Sequence, residues 1–468
     1  MGQSKIKSVG CVACLLGALF GCAPEEPVSI RAVHLQDSTE KIDRSVTRLE
    51  EESLDLSGKR LALPLDTLIQ RAKRHEMDFD FRNAMIFWKE AVALTQADPE
   101  AESWQLRDAE AGAQFAQMAL KWDELNIEQL RRSVDLNQTA ARQATQGDYP
   151  LALQNRLRAL SILCGLAGPE SVAVGNQWLL IGEVRKKMGQ FQEAMADIEQ
   201  SLRIFDVQKY ETHPQIATAY ASLADASFQD QQFGSAIANQ VLALDMASRL
   251  WGDQSISYAE QASQLGMYYY CSGQYQTALV QLQKSEVILK IHLITDTELA
   301  GQVYLNLGLV LAKLGDISSA IDCFQTAENV FLQQFPRSHR VIAECQTGRA
   351  MAYMKESRYG LAEECLQSAM VEWQQVRGIT PAQLSMTEYQ ISIALERQGK
   401  YEQSQPLLEK IIAIQQRDLG MADPLTVRSL QAYSLVLRQN RQVEAARRID
   451  DQIQRVAGLV QERPVRDR

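Results

Sequence analysis

A small residue recurs every 42 positions along most of this 468-residue chain: Ala152, Ala194, Ala236, Ala278, Ala320, Ala362, Ser404 and Ala446. So strict a period excludes one irregular globular core. It requires a single supersecondary unit, repeated, in which each copy buries its apolar face only against its neighbours. A second small column stands twelve residues earlier, at Ala140, Gly182, Ala224, Gly266, Gly308, Ala350, Ser392 and Ser434. Two helices approach closely only where side chains are small, so the paired columns predict the contact inside a helical hairpin. Three residues before each anchor stands a bulkier side chain: Tyr149, Phe191, Phe233, Tyr275, Ile317, Tyr359, Tyr401 or Val443. It marks the head of the second helix. Five residues before the anchor, Gly147, Gly189, Gly273, Gly315 and Gly399 supply the left-handed position that ends the first helix.

The joints between repeats follow the same register. In four repeats Gly168, Gly252, Gly378 and Gly420 suit the end of the second helix, and Ser171, Ser255, Thr297 and Asp423 are N-caps for the next repeat. Pro214 and Pro424 fall in a first helical turn, where a missing N–H costs nothing. Sparse glycine and proline, with abundant Ala, Leu, Gln and Glu, agree with an all-helical chain.

These small–bulky–small columns, with the Gly-x-Tyr/Phe-x-x-Ala turn and the His213-Pro214 joint, resemble the tetratricopeptide repeat. The 42-residue form is similar to the array of kinesin light chain and to long bacterial arrays. The resemblance covers about residues 129–457, and it implies an all-α fold: a right-handed α-solenoid of stacked antiparallel helix pairs, eight in the array. HEAT and armadillo repeats share a similar period, but they do not demand paired small columns.

Outside the array the pattern changes. Lys5 and Lys7 followed by the apolar run Val9 to Gly21 read as a signal segment, residues 1–21, too short to span a bilayer as a helix. It closes with Leu19-Phe20-Gly21-Cys22, which resembles the bacterial lipobox, so Cys22 is expected to carry lipid, palmitate included. The resemblance implies a membrane-anchored lipoprotein on the periplasmic face or cell surface, with the outer membrane favoured. Residues 22–64 read as a tether, and 65–128 as N-terminal helices. These include a diverged repeat with helices near Leu65–Met77 and from Asn83 to Leu94, anchored on Ala84. The insertion 100–126 carries Trp104, Leu106, Ala109, Ala113, Ala116 and Leu120 at helical spacing, expected to form extra helices capping the open end of the stack. Residues 458–468 form a tail.

Few residues point to chemistry. No nucleophile elbow, phosphate-binding glycine loop or zinc helix is present in the sequence. His213 and His339 share a joint position three repeats apart, which makes them cap-site residues. Five cysteines remain after Cys22, an odd number without a short-range framework, and Cys323 and Cys365 read as core-facing. A net charge of −10 argues against wholesale nucleic-acid binding. No catalytic residue, metal, cofactor or small-molecule substrate is expected. An enzyme using Glu102, Asp108 or Glu110 of the insertion is the weakest reading. A self-associating structural or assembly factor of the outer membrane is the stronger alternative.

The favoured expectation is a scaffold for protein or peptide partners. In tetratricopeptide arrays the first helix of each hairpin lines the concave face. Carried over by register, this places Lys187, Asp225, Met267, Tyr270, Asn306, Lys313, Met351, Lys355, Arg397 and Arg438 on that face. The column seven residues before the anchor, with Lys187, Lys313, Lys355 and Arg397, reads either as a basic ladder for acidic partners or as cations offsetting helix dipoles. Met267, Met351, Met354 and Tyr268 to Tyr270 read either as an apolar floor for a peptide or as packing between repeats.

Overall fold

The computed structural model describes residues 63–98, 103–335, 340–376 and 379–461. Cys22, the signal segment, Glu102, His339 and Gly378 lie outside them. The described elements are all α-helical. A first pair, α1 (Leu65–Met77) and α2 (Phe81–Ala97), precedes a single helix, α3 (Ser103–Ala119). Eight hairpins follow, alternating first and second helices: α4 (Glu124–Thr145) and α5 (Tyr149–Ala167), α6 (Val172–Lys187) and α7 (Phe191–Val207), α8 (Pro214–Gln229) and α9 (Phe233–Trp251), α10 (Ile256–Cys271) and α11 (Tyr275–Ile291). The last four are α12 (Glu298–Leu314) and α13 (Ile317–Gln334), α14 (Arg340–Lys355) and α15 (Tyr359–Gln375), α16 (Pro381–Arg397) and α17 (Tyr401–Asp418), α18 (Pro424–Gln439) and α19 (Val443–Gln461). Contacts divide the chain into two compact units, the boundary falling between Asp253 and Gln254 in the sequence.

Every second helix begins on its bulky column residue, from Tyr149 to Val443. All eight anchors are fully buried. Where the facing column holds glycine the approach is close enough to exclude a side chain: a β-carbon built on Gly182 would fall 2.6 Å from Ile198 and 3.1 Å from the Ala194 carbonyl. Where the columns hold serine they bond across the same contact. The Ser404 hydroxyl donates to the Ser392 carbonyl at 3.0 Å, and Ser434 donates to Asp450 at 2.6 Å.

The turn inside the hairpin imposes a left-handed residue on all eight repeats. Five supply glycine, with φ from 73° to 93°; Gln231, Ser357 and Arg441 adopt φ of 63°, 60° and 62° at the same register. Phe79, five residues before Ala84, does so at 59°, and α2 starts three residues before Ala84, so the off-period first pair obeys the same local rule. At the joints, Ser255, Thr297 and Asp423 accept backbone N–H bonds as N-caps. Ser171 departs from this: its hydroxyl donates to Gly168 O at 3.0 Å instead. A further recurring bond was not read from the sequence. Gln208, His292 and Gln334, each fourteen residues past an anchor, donate to the carbonyls of Glu170, Gln254 and Asp296 on the preceding joint.

The insertion differs from expectation. Its described part is one helix, α3, with Ala109 and Ala116 fully buried and Gly112 pressed against Trp88 of α2. Phe115 meets Phe81 and Trp122 edge-on, joining α2 and α3 to the core formed with Leu130, Leu160 and Ile181. At its other end Trp104 packs on the cluster of Phe205, Tyr210 and Ile216. Helix α3 therefore runs alongside the first repeats of its unit rather than closing off their end. Trp104 and Phe115, about three turns apart on α3, pack on two separate clusters of the unit, and this holds the helix along it.

Candidate protein-binding face

Within each unit the first helices of successive repeats also touch one another: α6 with α8, α10 with α12, α12 with α14, and α16 with α18. Second helices do not approach each other as extensively, so the first-helix side is the tighter one. The residues placed there by sequence divide into three groups.

Two of them are inside. Tyr270 is 2% exposed, its ring 5.6 Å from that of Tyr275, and Asn306 is 3% exposed, accepting a bond from Gln302 at 3.0 Å. Neither presents a surface to a partner. Phe228, at the register of Tyr270 one repeat earlier, meets Phe233 at 5.7 Å in the same way. An aromatic at this position packs on the bulky head of its own second helix. Tyr268 is buried as well, which assigns that part of the aromatic set to packing.

The second group is engaged with the array itself. Asp225 lies 3.0 Å from the Lys186 amine, which also reaches Glu183 at 3.1 Å. Burial disfavours charge on Lys186, but the two carboxylates outweigh it and hold its pKa above the ordinary lysine value. Lys355 donates to the carbonyl of Ala312, near the C-terminal end of the first helix one repeat earlier. That is the dipole-offsetting role, exercised on a neighbour's helix. Arg438 pairs with Asp450, and Lys313 has its own interactions.

The third group is open. Met351 is 41% exposed, Met267 and Lys187 are half-buried, and Arg397 is exposed. Met267 and Met351 share a register, eleven residues before the anchor, and the intervening and following repeats carry Leu309, Ile393 and Leu435 there. All five side chains of this column are half-buried or exposed, Leu435 at 43%. The unit that begins at Gln254 therefore bears an unbroken apolar row on its first-helix side. In the other unit the same register holds Glu183 and Asp225. Sequence reasoning selected Met267 and Met351 but missed Leu309, Ile393 and Leu435; reading that column through every repeat was the signal available.

The residues with chemical potential are structural. His213 caps α8 with Nδ1, which accepts the Gln215 N–H at 3.0 Å, so the proton sits on Nε2 and faces Asp108 at 3.1 Å. The Tyr210 hydroxyl donates to the same carboxylate oxygen at 3.1 Å, and burial followed by the Asp108 charge pushes that phenol upward. Asp108 thus fastens α3 to the array, and both imidazole nitrogens are occupied. The five cysteines are free thiols. Cys365 is buried, whereas Cys323 is only half-buried, and burial still raises Cys323 to about 11. Burial likewise raises Cys164, Cys345 and Cys365. Among the described residues no group of three or more His, Cys, Asp and Glu side chains could hold a metal ion, and no helix is long and apolar enough to cross a membrane.

Comparison with known proteins places these repeats. Residues 178–206 and 301–330, the hairpins anchored on Ala194 and Ala320, match the tetratricopeptide repeat family. A kinesin light chain-related 3 protein of Arabidopsis thaliana is 22% identical over 199 residues, 42% of this chain; the chain spans 30% of that relative's length. Among solved structures, a signal transduction ATPase with a tetratricopeptide repeat sensor from Pyrococcus horikoshii superposes with a TM-score of 0.50 at 15% identity, over 82% of this chain and 55% of that one. Kinesin light chain TPR-like repeats of Podosopora anserina give a TM-score of 0.40 at 19% identity, over 44% of this chain and 97% of that one. The chain carries tetratricopeptide repeats in an all-helical array, a fold suited to protein–protein interaction, and no catalytic family is indicated.

Proposed function

We propose that this tetratricopeptide array is a membrane-anchored, extracytoplasmic scaffold that holds protein partners along the first-helix side of the unit beginning at Gln254. The observation that carries the reading is the apolar row Met267, Leu309, Met351, Ile393 and Leu435, at least partly open to solvent in five consecutive repeats. Met351 and Leu435 are exposed and the other three half-buried, so the row offers apolar surface at every level for a partner to cover. One helical turn away Arg397 is exposed, while Lys313 and Lys355 at the same register are already engaged with the array. The anchor rests on the apolar segment ending in Leu19-Phe20-Gly21-Cys22, and the outer membrane is the favoured site.

Two experiments separate these parts. Met267→Asp combined with Met351→Asp and Leu435→Asp should abolish recovery of partners from solubilised membranes while leaving the melting temperature within a few degrees. Partners recovered equally by wild type and variant would refute the face. Cys22→Ala should move the protein to the soluble fraction, and undiminished membrane retention would refute the anchor.

A further inference from the structure

We propose that the outward side of α11 is a self-association surface through which two copies of this chain pair antiparallel. The repeats provide an internal reference. At positions two, nine and thirteen past the anchor, the flanking repeats carry Ala238 and Asp322, Asp245 and Asn329, Arg249 and Gln333. All are polar except Ala238, which offers only a methyl group. Helix α11 carries Val280, Val287 and Ile291 there, and they are 44%, 52% and 61% exposed. The opposite side of α11 is the ordinary one, with Ala278, Leu282, Ile288 and Leu289 buried in the hairpin. Helix α11 thus carries a second, narrow apolar row flanked by the exposed Gln283 and Lys290, the pattern of a helix that pairs with another along one seam.

The spacing names what covers it. Val280, Lys284, Val287 and Ile291 are separated by four, three and four residues, the seam of a two-helix coiled-coil contact. The seam is nearly symmetric about the point between Lys284 and Val287. An antiparallel second copy sets Val280 of each chain against Ile291 of the other, which satisfies the self-complementarity of a two-fold contact. The Lys284 stem lies across Val287 of the other copy with its amine reaching water. The charged residues between Val280 and Ile291 are Lys284, Glu286 and Lys290, and Lys290 is paired with Glu286 within the helix, so the overall −10 of the chain is not concentrated on this face. One helix pair is a small interface, so the dimer should be weak, roughly micromolar.

Sedimentation equilibrium of the full chain, across about a hundredfold range around that concentration, reads the pairing. Wild type should pass from monomer to dimer. Val287→Lys with Ile291→Glu should remain monomeric with an unchanged melting temperature, since both side chains are exposed. Asn329→Glu on the neighbouring α13 should dimerise as wild type does. A wild type monomeric throughout, or a dimer that persists in the Val287→Lys, Ile291→Glu variant, would overturn the proposal. So would flotation of monomeric wild type with phosphatidylglycerol vesicles that is lost in the same variant, which would assign the face to lipid.

Discussion

The ring of Phe324 lies so close to Gly308 that a β-carbon built on the glycine would fall 2.7 Å from it. Gly348, on the next first helix, meets the same ring at 2.6 Å. One fully buried aromatic side chain is thus held between the first helices of two successive repeats, and both must present glycine to admit it. Gly308→Ala should destabilise the chain by roughly 1–3 kcal/mol, the cost of overpacking a filled core. Phe324→Leu in the same molecule should return part of that loss. Thermal melts of the two single variants and the double variant measure the coupling, and strict additivity would show that the ring and the glycine do not compete.

The left-handed turn residue offers an opposite pair of changes. Ser357 holds φ at 60°, a conformation glycine adopts without strain, so Ser357→Gly should stabilise by about 0.5–1 kcal/mol. Gly273→Ala, at φ of 83°, should destabilise by about as much or more. Chemical denaturation of both variants checks the signs. A loss from Ser357→Gly would mean that the serine side chain contributes more than its backbone costs.

Glu76 gives the N-terminal pair a pH dependence. Burial lifts its carboxyl from 4.5 to about 7, against the opposing bond from Trp88 Nε1 at 2.7 Å. The folded state therefore holds the proton more tightly than the unfolded chain does. Stability contributed by this group is complete below pH 4.5 and is lost as pH rises through about 7. Glu76→Gln keeps an acceptor for Trp88 and removes the charge. It should stabilise by roughly 2 kcal/mol at pH 8 and by nothing at pH 4. Denaturant midpoints at the two pH values test this, and a gain independent of pH would contradict it.

Lys355 and Arg397 share a register but should respond differently to reversal. Lys355→Glu places a carboxylate at the Ala312 carbonyl and should lower stability by about 0.3–1 kcal/mol. Arg397→Glu should change the melting temperature little, because the residue is an exposed side chain of α16. Equal losses from both would return the whole column to a common dipole role.

The contrast between those two residues shows where sequence columns stop being informative. A 42-residue period places each helix start, each turn and each small contact, because these depend on backbone geometry common to every repeat. Glycine at the turn was legible, while Gln231, Ser357 and Arg441 were not, since the surrounding hairpin imposes the left-handed conformation on residues that would not select it. Side-chain exposure is decided by the neighbour at the same level. Eight residues before the anchor, Tyr270 is buried and Arg438 is exposed. The bond from His213 to Asp108 spans 105 residues and joins an element within the period to one outside it, so no register could reveal it.

The central claim is that partners lie on the first-helix side of the array, and site-specific photo-crosslinking tests it most directly. A benzophenone amino acid at Met351, on α14, should capture partner protein in membranes. The same probe at Val371, 53% exposed on the second helix α15 of that repeat, should not. Crosslinks from position 371 with none from 351 would contradict the account.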